Sequence, residues 1–463
     1  MGVFMKKVIL VAECLILAVL SVLLCVPQSG GSVEPVTDAG TEAAENAELE
    51  TWVYGQPAQD ALAGAANRDE ILLLKEQADR LALMYDYDAA KTLIQSYEAY
   101  AQEPVLTEAI ATYEAAKEAC VPWEDNTKIS HCFFHSLIAD TSLAFGPDSG
   151  TRDGYNRYMT TIEEFGKILL QMYERGYVLV GMHDIAEYQL QEDGTGKMIM
   201  KEILLPEGKT PIVMSQDDVN YYDYMDGEGF ASKLVIGADG KPLCEYIQKD
   251  GTVVTGAYDL VPILDRFVEQ HPDFSYRGAK AVLAVTGYEG ALGYETAPYR
   301  YNEAKHLVGL TEEQKAAMLE EEREACREIV AVLTADGYEF ASHSYGHGNM
   351  QTNTVEKFCY DMDRWQEEVG VLLGDTDIFI YPFGADICDW RGYHGGKYEY
   401  AIANGFRYFC NVDSSQYWVQ TGDAYLRQGR INFDGERMKK DPDKLQYFFD
   451  VEAVLDPERP PLE

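Results

Sequence analysis

The chain has 463 residues, so its length predicts one large domain of roughly 300 residues and a smaller part. Hydrophobic residues make up 46% of the chain and aromatic residues 12%, which excludes a disordered protein. The 78 acidic and 38 basic side chains give a formal net charge of -40, which disfavours nucleic acid and anionic membrane surfaces as partners.

Residues 1–27 have the pattern of an export signal. Lys6 and Lys7 precede an apolar run from Val8 to Val26 that only Glu13 interrupts. This run is close to the length that spans a bilayer, and no Ala-x-Ala cleavage site follows it. The pattern favours an uncleaved signal anchor over a cleaved signal peptide. Both predict an extracytoplasmic protein, which touches the membrane through this segment or is secreted.

The next two segments are predicted to connect this leader to the main domain. Residues 28–67 are rich in Gly, Ser, Ala and Glu and lack an apolar period, which is typical of a flexible linker. Residues 68–125 carry apolar side chains at a spacing of three to four, which predicts a small helical stalk. We expect the stalk to pack on the main domain.

From residue 128 to residue 440, short apolar runs alternate with amphipathic segments, which predicts an α/β catalytic domain. The predicted strands are Ile129–Ile138, Tyr177–Val180, Pro211–Ser215, Ala279–Thr286, Tyr338–Ser342, Asp377–Pro382 and Phe406–Val412. The predicted helices are Thr160–Arg175, Asp259–Gln270, Thr311–Ala335, Asn353–Leu373 and Lys397–Asn404. This order predicts a distorted (β/α) barrel of about seven parallel strands, followed by a C-terminal tail at residues 441–463.

Two stretches interrupt the alternation. Three Asp-Gly pairs, which favour turns, begin at Asp226, Asp239 and Asp250. They predict an inserted β-hairpin over residues 221–257. Residues 287–310 are rich in Gly and Tyr and form a second predicted loop. Loops of this length at the strand ends of a barrel usually shape a cleft, so we expect them to set specificity.

Cysteines do not support a structural metal site or a disulfide framework. Seven of the nine cysteines lie beyond the leader, an odd number, and no Cys-x-x-Cys pair occurs. We therefore expect buried free thiols.

Polar side chains follow the predicted strands at the ends where a parallel barrel builds its active site. Asp217 and Asp218 come after the third strand, and His343 and His347 come after the fifth. Adjacent carboxylates repel each other when both are ionised, so the pair points to a cation or a proton between them. Two histidines four residues apart, with Gly346 allowing a bend, can supply two imidazoles to one ion.

One aspartate and two histidines leave coordination positions for water, as in catalytic zinc sites. Zinc suits this ligand set best, and cobalt, nickel or manganese also fit. A zinc protease of the His-Glu-x-x-His type is excluded, because Ser344 follows His343.

These motifs resemble those of the NodB-like polysaccharide deacetylases, carbohydrate esterase family 4. The resemblance spans roughly residues 129–433 and is carried by the Asp217-Asp218 pair, the His-Ser-Tyr-Gly-His run that starts at His343, and Pro382-Phe383-Gly384. It implies that Asp217 is the general base, and that Asp218 binds the metal together with His343 and His347.

Two residues of the family pattern are missing. The arginine that orients the base in the family is not found before Pro382, where Ile and Tyr stand instead. Either Arg427 or Arg430, later in the chain, could replace it. The family's late histidine, its general acid, is also missing, because no histidine follows His394.

His135 is the predicted replacement for this acid. Phe133-Phe134-His135-Ser136 resembles the Tyr-His motif near the start of poly-N-acetylglucosamine deacetylases, a branch with permuted motifs. His135 also stands at the end of the first predicted strand. His131 lies on the same face of that strand, so one of the two is expected to be structural. His183, after the second strand, is a weaker alternative.

The resemblance implies roles for four further residues. Phe383 would offer its backbone N–H to the oxyanion. Asp413 and Trp418 look like a degenerate fourth motif that lines the acetyl pocket. Tyr345, inside the histidine motif, is assigned to substrate binding with them.

The resemblance implies metal-dependent hydrolysis of N-acetyl groups on an extracellular or cell-wall carbohydrate. An O-acetyl glycan esterase would use the same residues, and its leaving group would need less protonation. A non-catalytic cell-surface glycan-binding protein with a decayed site is a third reading, based on the missing arginine and histidine. Retention of all three metal ligands and the base argues against that reading.

Overall fold

The computed structural model describes residues 65–147, 149–192, 195–303 and 309–462. The predicted leader and nearly all of the predicted linker lie outside these residues and stay predictions. Within the described part, no helix is both long enough and apolar enough to cross a membrane.

The strands of the described residues are two to seven residues long. In chain order they are β1 (Val121–Pro122), β2 (Ser130–Phe134), β3 (Tyr177–Leu179), β4 (Ala186–Leu190), β5 (Gly196–Met200), β6 (Leu204–Leu205), β7 (Thr210–Gln216), β8 (Ala231–Ile236), β9 (Pro242–Ile247), β10 (Val253–Gly256), β11 (Ala281–Val285), β12 (Glu339–Ser342), β13 (Ile378–Ile380), β14 (Tyr408–Val412), β15 (Trp418–Thr421) and β16 (Leu426–Asn432).

The α-helices range from single turns to six turns. In chain order they are α1 (Ala65–Leu83), α2 (Tyr87–Gln95), α3 (Pro104–Glu118), α4 (Thr141–Ala144), α5 (Arg152–Tyr158), α6 (Ile162–Glu174), α7 (Met182–Ile185), α8 (Leu260–Gln270), α9 (Arg300–Glu303), α10 (Glu312–Ala335), α11 (Val355–Trp365), α12 (Val371–Leu373), α13 (Gly396–Ala403), α14 (Gly435–Lys440) and α15 (Val451–Val454). A π-helical turn at Gln366–Gly370 joins α11 to α12.

Seven parallel strands close into a barrel. Their order around the ring is β2, β7, β11, β12, β13, β14, β16 and back to β2. The fold class predicted from the sequence, a distorted (β/α) barrel of about seven parallel strands, is confirmed. β3 pairs with β7 outside the ring, and β15 pairs antiparallel with β16.

One barrel strand differs from the sequence prediction. Tyr177–Val180 was expected as a full member of the ring, but β3 pairs only with the first residues of β7, Thr210–Ile212, on the edge that β11 occupies further along. β16 takes the seventh place. Its apolar pattern is weak because Gln428 and Arg430, both buried, are polar. Alternating apolar residues, the usual signal of a buried strand, are therefore missing from this segment.

The barrel interior changes from apolar to polar along the strands. Successive residues of a strand face opposite sides, and on β7 Val213 belongs to a buried apolar cluster, whereas Ser215 and Asp217 follow it on the same side. On β16, Leu426 belongs to the same apolar cluster and Gln428 follows it. Polar groups thus gather at the carboxyl ends of the strands.

Threonine caps fix where several outer helices begin. The Thr161 side chain accepts a hydrogen bond from the Glu164 N–H at 3.1 Å, and the Glu164 carboxylate accepts one from the Thr161 N–H at 2.9 Å, which is a capping box. Thr311 and Gln314 form the same arrangement at the start of α10. The buried faces of α6, α8, α10 and α11 join one core cluster with outward residues of the barrel.

The insertion predicted as a hairpin is present and carries a third strand. β8, β9 and β10 form an antiparallel sheet in the order β10-β9-β8. The second insertion, residues 287–310, brings the Gly293 backbone close to Ser232 and Lys233. A Cβ on Gly293 would lie 2.4 Å from the Ser232 carbonyl oxygen. With φ at 87°, this position requires glycine, and the two insertions lie in contact.

The helices of the predicted stalk form a small apolar cluster of their own and also touch the barrel. Its buried residues are Ile71, Ala78, Ala90, Ile94, Leu106, Ala109 and Tyr113. Tyr85 stacks on Tyr276, with ring centroids 6.4 Å apart, and donates its hydroxyl to the Asp273 carbonyl at 2.7 Å. The turn between α1 and α2 therefore packs on the main domain.

The C-terminal segment is folded against the barrel domain. Phe448, Phe449 and Val454 are fully buried in its core. Arg459 donates Nε to Glu164 Oε1 at 2.8 Å, and both side chains are completely buried. The residues expected to form a tail thus include a buried ion pair. All seven cysteines of the described part are free thiols; four are buried, as expected, whereas Cys120, Cys359 and Cys388 are only partly buried.

Candidate metal centre

The candidate ligands lie at the carboxyl ends of β7 and β12. Asp218 stands two residues beyond the end of β7, and His343 follows β12 directly. Asp218, Ser344, His347 and Phe383 all have left-handed backbone conformations, with φ of 58°, 61°, 48° and 59°. Non-glycine residues seldom adopt this conformation, and such strain gathers at functional sites.

One potential ligand atom from each of Asp218, His343 and His347 falls within 4.8 Å of the other two. Asp218 Oδ1 lies 3.9 Å from His343 Nε2 and 3.6 Å from His347 Nε2. These gaps are too long for hydrogen bonds. They are close to the separation of about 3.3 Å between two atoms that each bind one zinc ion at about 2.0–2.1 Å. The three residues fit a tetrahedral ion with one position left open.

A hydrogen bond from Nδ1 fixes the ring orientation of His343, a candidate ligand. Its Nδ1 donates to the Ile380 carbonyl at 2.9 Å, so the lone pair of Nε2 points to the site. Burial lowers the pKa of His343, although Asp217 and Asp218 oppose this effect. A neutral imidazole with a defined tautomer is the form that binds metals.

The Asp218 oxygen nearest the two histidines, Oδ1, also accepts a hydrogen bond. The Tyr222 hydroxyl donates to Asp218 Oδ1 at 2.7 Å and lies 3.1 Å from Thr286 Oγ1. Tyr222 comes from the first insertion and is 5% exposed. A hydrogen bond of this kind orients a carboxylate toward an ion.

Asp217 is paired with Arg430. Arg430 donates Nη1 to Asp217 Oδ1 at 2.6 Å and Nη2 to Asp217 Oδ2 at 2.9 Å, a bidentate contact between buried side chains. Burial alone would raise the pKa of Asp217. The charge of Arg430 and its hydrogen bonds to the carboxylate outweigh burial and hold the pKa well below its usual range. Asp217 is therefore an ionised carboxylate at neutral pH.

Of the two arginines offered as replacements, Arg430 is the one that contacts Asp217. Arg427, the other candidate, instead donates Nε to Asp386 Oδ2 at 2.8 Å and Nη1 to the Asp389 carbonyl at 2.7 Å. The two arginines are three residues apart on β16 and so project to opposite sides of the strand. The sequence alone could not separate them, because β16 was not recognised as a strand.

A chain of hydrogen bonds with defined directions supports Arg430. Gln428 Nε2 donates to the Ile129 carbonyl at 2.9 Å, so Gln428 Oε1 accepts from His131 Nδ1 at 3.1 Å. His131 Nε2 then accepts from the Ser215 hydroxyl at 2.9 Å, and Ser215 Oγ accepts from Arg430 Nη1 at 3.1 Å. Burial, with Arg430 nearby, lowers the pKa of His131 well below its usual value. His131 is therefore a neutral structural residue.

His135 stands at the end of β2, next to the base. Its Nδ1 donates to the Tyr158 carbonyl at 2.9 Å, which leaves Nε2 as the second ring nitrogen. The carbonyl of the preceding Phe134 accepts the Asp217 N–H at 2.8 Å, so the two strand ends are neighbours. The general-acid role of His135 stays a prediction.

His183 lies at the other end of the barrel and cannot serve as the acid. Its Nδ1 contacts Glu339 and its Nε2 lies 2.9 Å from Asp377 Oδ1. Glu339 begins β12 and Asp377 directly precedes β13, so this cluster is at the amino ends of the strands.

Phe383 packs its ring against a ligand. The Phe383 and His347 ring centroids are 4.5 Å apart, and 69% of Phe383 is exposed. Its side chain therefore lies beside the triad, whereas the oxyanion role belongs to its backbone N–H. That role stays a prediction.

The three residues assigned to substrate binding have structural contacts. The Tyr345 hydroxyl donates to Glu368 Oε2 at 2.8 Å, and its side chain is buried. Asp413 donates its N–H to the Arg430 carbonyl at 2.8 Å and accepts from the Ser415 N–H at 2.8 Å. Trp418 lies 5.0 Å from the Arg427 guanidinium. These contacts are within the protein, and substrate binding by the three residues stays a prediction.

Comparisons with known proteins identify no family. No family model matches the sequence, and no curated protein matches it. Among solved structures, the Streptococcus pyogenes deacetylase PplD in complex with acetate is similar over 73% of this chain and 100% of that chain, at 12% identity and a TM-score of 0.36. The assignment of the fold and of the site therefore rests on the contacts of this chain.

Proposed function

We propose that this chain hydrolyses N-acetyl groups on an extracellular or cell-wall carbohydrate, with a divalent metal ion as cofactor and zinc as the preferred ion. One observation carries the proposal. A triad open to a further ligand, formed by Asp218, His343 and His347, lies beside a carboxylate, Asp217, that a buried arginine holds in its ionised form. This arrangement is suited to activating water next to a polarised carbonyl.

Each protein group has a distinct task in the proposed reaction. Bound zinc would supply a Lewis acid that polarises the acetyl carbonyl and makes the attacking water more acidic. Asp217 accepts the proton of that water, while Arg430 keeps its carboxylate oriented. The Phe383 N–H donates to the oxygen that becomes negative. His135 delivers a proton to the departing amine.

The contact between Arg430 and Asp217 bears on the alternatives. A decayed, non-catalytic glycan-binding site would not need to keep an arginine on the base, so one ground for that reading is removed. An O-acetyl glycan esterase stays an alternative, because an alkoxide leaving group depends less on the acid that His135 is proposed to supply.

Acetate release from acetylated chitooligosaccharides and from acetylxylan tests the proposal with the zinc-loaded chain. We expect release from the chitooligosaccharides, and loss of release with Asp218→Ala or with a chelator. The matched control is Asp443→Ala, which changes an exposed aspartate that follows the last barrel strand. Release from acetylxylan alone would favour the esterase, and an Asp218→Ala protein as active as the wild type would refute metal dependence.

A further inference from the structure

Three tyrosines from the two insertions form a stack beside the metal triad. Tyr224 and Tyr222 have ring centroids 5.7 Å apart and an interplanar angle of 13°, and Tyr222 and Tyr288 have centroids 5.3 Å apart at 20°. We call these three residues the tyrosine stack. Tyr222 is buried and Tyr288 is partly buried, whereas 54% of Tyr224 is exposed. The stack therefore ends in an open aromatic face.

This face has a fixed position relative to the metal triad. Tyr222, the middle ring, donates its hydroxyl to the ligand Asp218 at 2.7 Å. The Tyr288 N–H donates to the Tyr345 carbonyl at 3.1 Å, and Tyr345 lies between the two ligand histidines in the sequence. The middle ring, Tyr222, is thus tied to one ligand, and Tyr288 is tied to the loop that carries the other two. A molecule bound on Tyr224 would therefore have a fixed position relative to the metal triad.

The chemistry of the face suits a sugar ring. A flat aromatic surface carries negative charge above its plane and offers rigid apolar contact. The axial C–H groups on one face of a pyranose are weakly positive and apolar, so they pack on such a surface while the hydroxyls stay in water. A glycan chain that presents one acetylated sugar to the triad would present a neighbouring sugar to the insertions.

The surrounding charges select among sugars. The Asp223 N–H donates to Glu289 Oε2 at 3.3 Å, which brings two acidic residues to the stack. Asp223 is also paired with Arg300, and Asp226 lies close by at the end of the same turn. Three carboxylates against one guanidinium leave negative charge beside Tyr224. Such a site repels uronic acids and accepts neutral or amine-bearing sugars.

We propose that Tyr224 is a stacking subsite for a neutral or cationic pyranose next to the sugar that is deacetylated, an inference that rests on the proposed function. The subsite sets preference for longer glycans. It also discriminates against chains with alternating uronic acids.

Steady-state kinetics on N-acetylchitopentaose, with the zinc-loaded full chain, test the subsite. We expect Tyr224→Ala to raise KM about tenfold with kcat within about twofold, and Tyr224→Phe to keep KM near the wild-type value, because the ring face is what binds. Tyr447→Ala, which removes another half-exposed tyrosine, is the control. An unchanged KM in Tyr224→Ala, or an equal loss in Tyr224→Phe, would overturn the subsite.

Calorimetric binding to the Asp217→Asn protein separates this inference from the proposed reaction. We expect N-acetylchitopentaose to bind at least about tenfold more tightly than an oligosaccharide of alternating N-acetylglucosamine and glucuronic acid, and Tyr224→Ala to weaken only the former. Tyr224-dependent binding without any acetate release in the wild type would leave the subsite standing and refute the reaction. Acetate release without a dependence on Tyr224 would do the reverse, and equal binding of the two glycans would refute the charge selection.

Discussion

The two ends of the barrel each place a histidine between carboxylates, yet the two clusters are built differently. At the amino end, both nitrogens of His183 are engaged by Glu339 and Asp377. At the carboxyl end, His343 uses one nitrogen for a backbone carbonyl and keeps the other 3.9 Å from Asp218. The first cluster is a closed ion pair, and the second leaves room for an ion.

The difference teaches that residue type alone does not define a metal site. Carboxylates at hydrogen-bond distance from both ring nitrogens stabilise the protonated imidazole, which has no lone pair left to bind a metal. Burial alone would lower the pKa of His183, but hydrogen bonds with Asp377 and Glu339 raise it to about 10. The pKa of His343 is instead lowered. A ligand histidine must stay neutral, and only the carboxyl end meets that condition.

Asp217→Asn is the substitution expected to have the largest effect, because it removes the base at the open end. We expect kcat to fall by about 10²–10⁴ with zinc content unchanged, since Asp217 is not proposed as a ligand. His183→Gln, which changes the closed end, should retain wild-type activity. Equal losses in the two variants would remove the functional distinction between the ends.

Arg430→Lys keeps the charge and loses the bidentate contact with Asp217. Hydrogen bonds between charged groups contribute about 1.5–3 kcal/mol, which corresponds to roughly 10–100-fold in kcat if the contact acts in the transition state. Zinc content should not change. A variant with wild-type kcat would show that the orientation of Asp217 does not depend on Arg430.

His131→Phe breaks the hydrogen-bond chain beneath Arg430. Ser215 and Gln428 would each lose a buried partner, at a cost of about 1–3 kcal/mol in the free energy of unfolding for each group. Denaturant unfolding of the variant measures this loss. His394→Ala, at an exposed histidine, is the control and should unfold like the wild type.

The closed end predicts a pH-dependent stability. The pKa of His183 is raised from 6.5 to about 10 on folding, so its contribution is complete below pH 6.5 and disappears as the pH rises through 10. Because nearly half of the side chain is exposed, screening reduces this contribution to about 1 kcal/mol. Unfolding of the wild type and His183→Gln should differ at pH 6 and converge above pH 10. A constant difference would mean that the His183 charge does not stabilise the fold.

Much of the carboxyl end could be predicted from the sequence. Asp218, His343 and His347 follow strands that have a clear apolar pattern, and parallel strands bring their carboxyl ends together. The partners of these residues could not be predicted in the same way. Arg430 meets Asp217 across 213 positions of the chain, from a strand whose inward residues are polar.

The amino end of the barrel, where His183 lies, shows that a strand pattern can also suggest a wrong position. His183 follows a segment that has a strand pattern, and the sequence therefore placed it with the ligands as a weak candidate for the acid. Its strand is parallel to β7 but pairs only with the first three residues of β7, so it ends near the amino end of the barrel. Register and ring closure depend on the whole sheet, which a single apolar run does not reveal.

Zinc titration of the metal-free chain by calorimetry tests the central claim most directly. We expect one ion per wild-type chain, none in His347→Ala, and one in His183→Ala. A wild-type chain that binds no zinc, or a His347→Ala chain that binds it as tightly as the wild type, would contradict the metal centre.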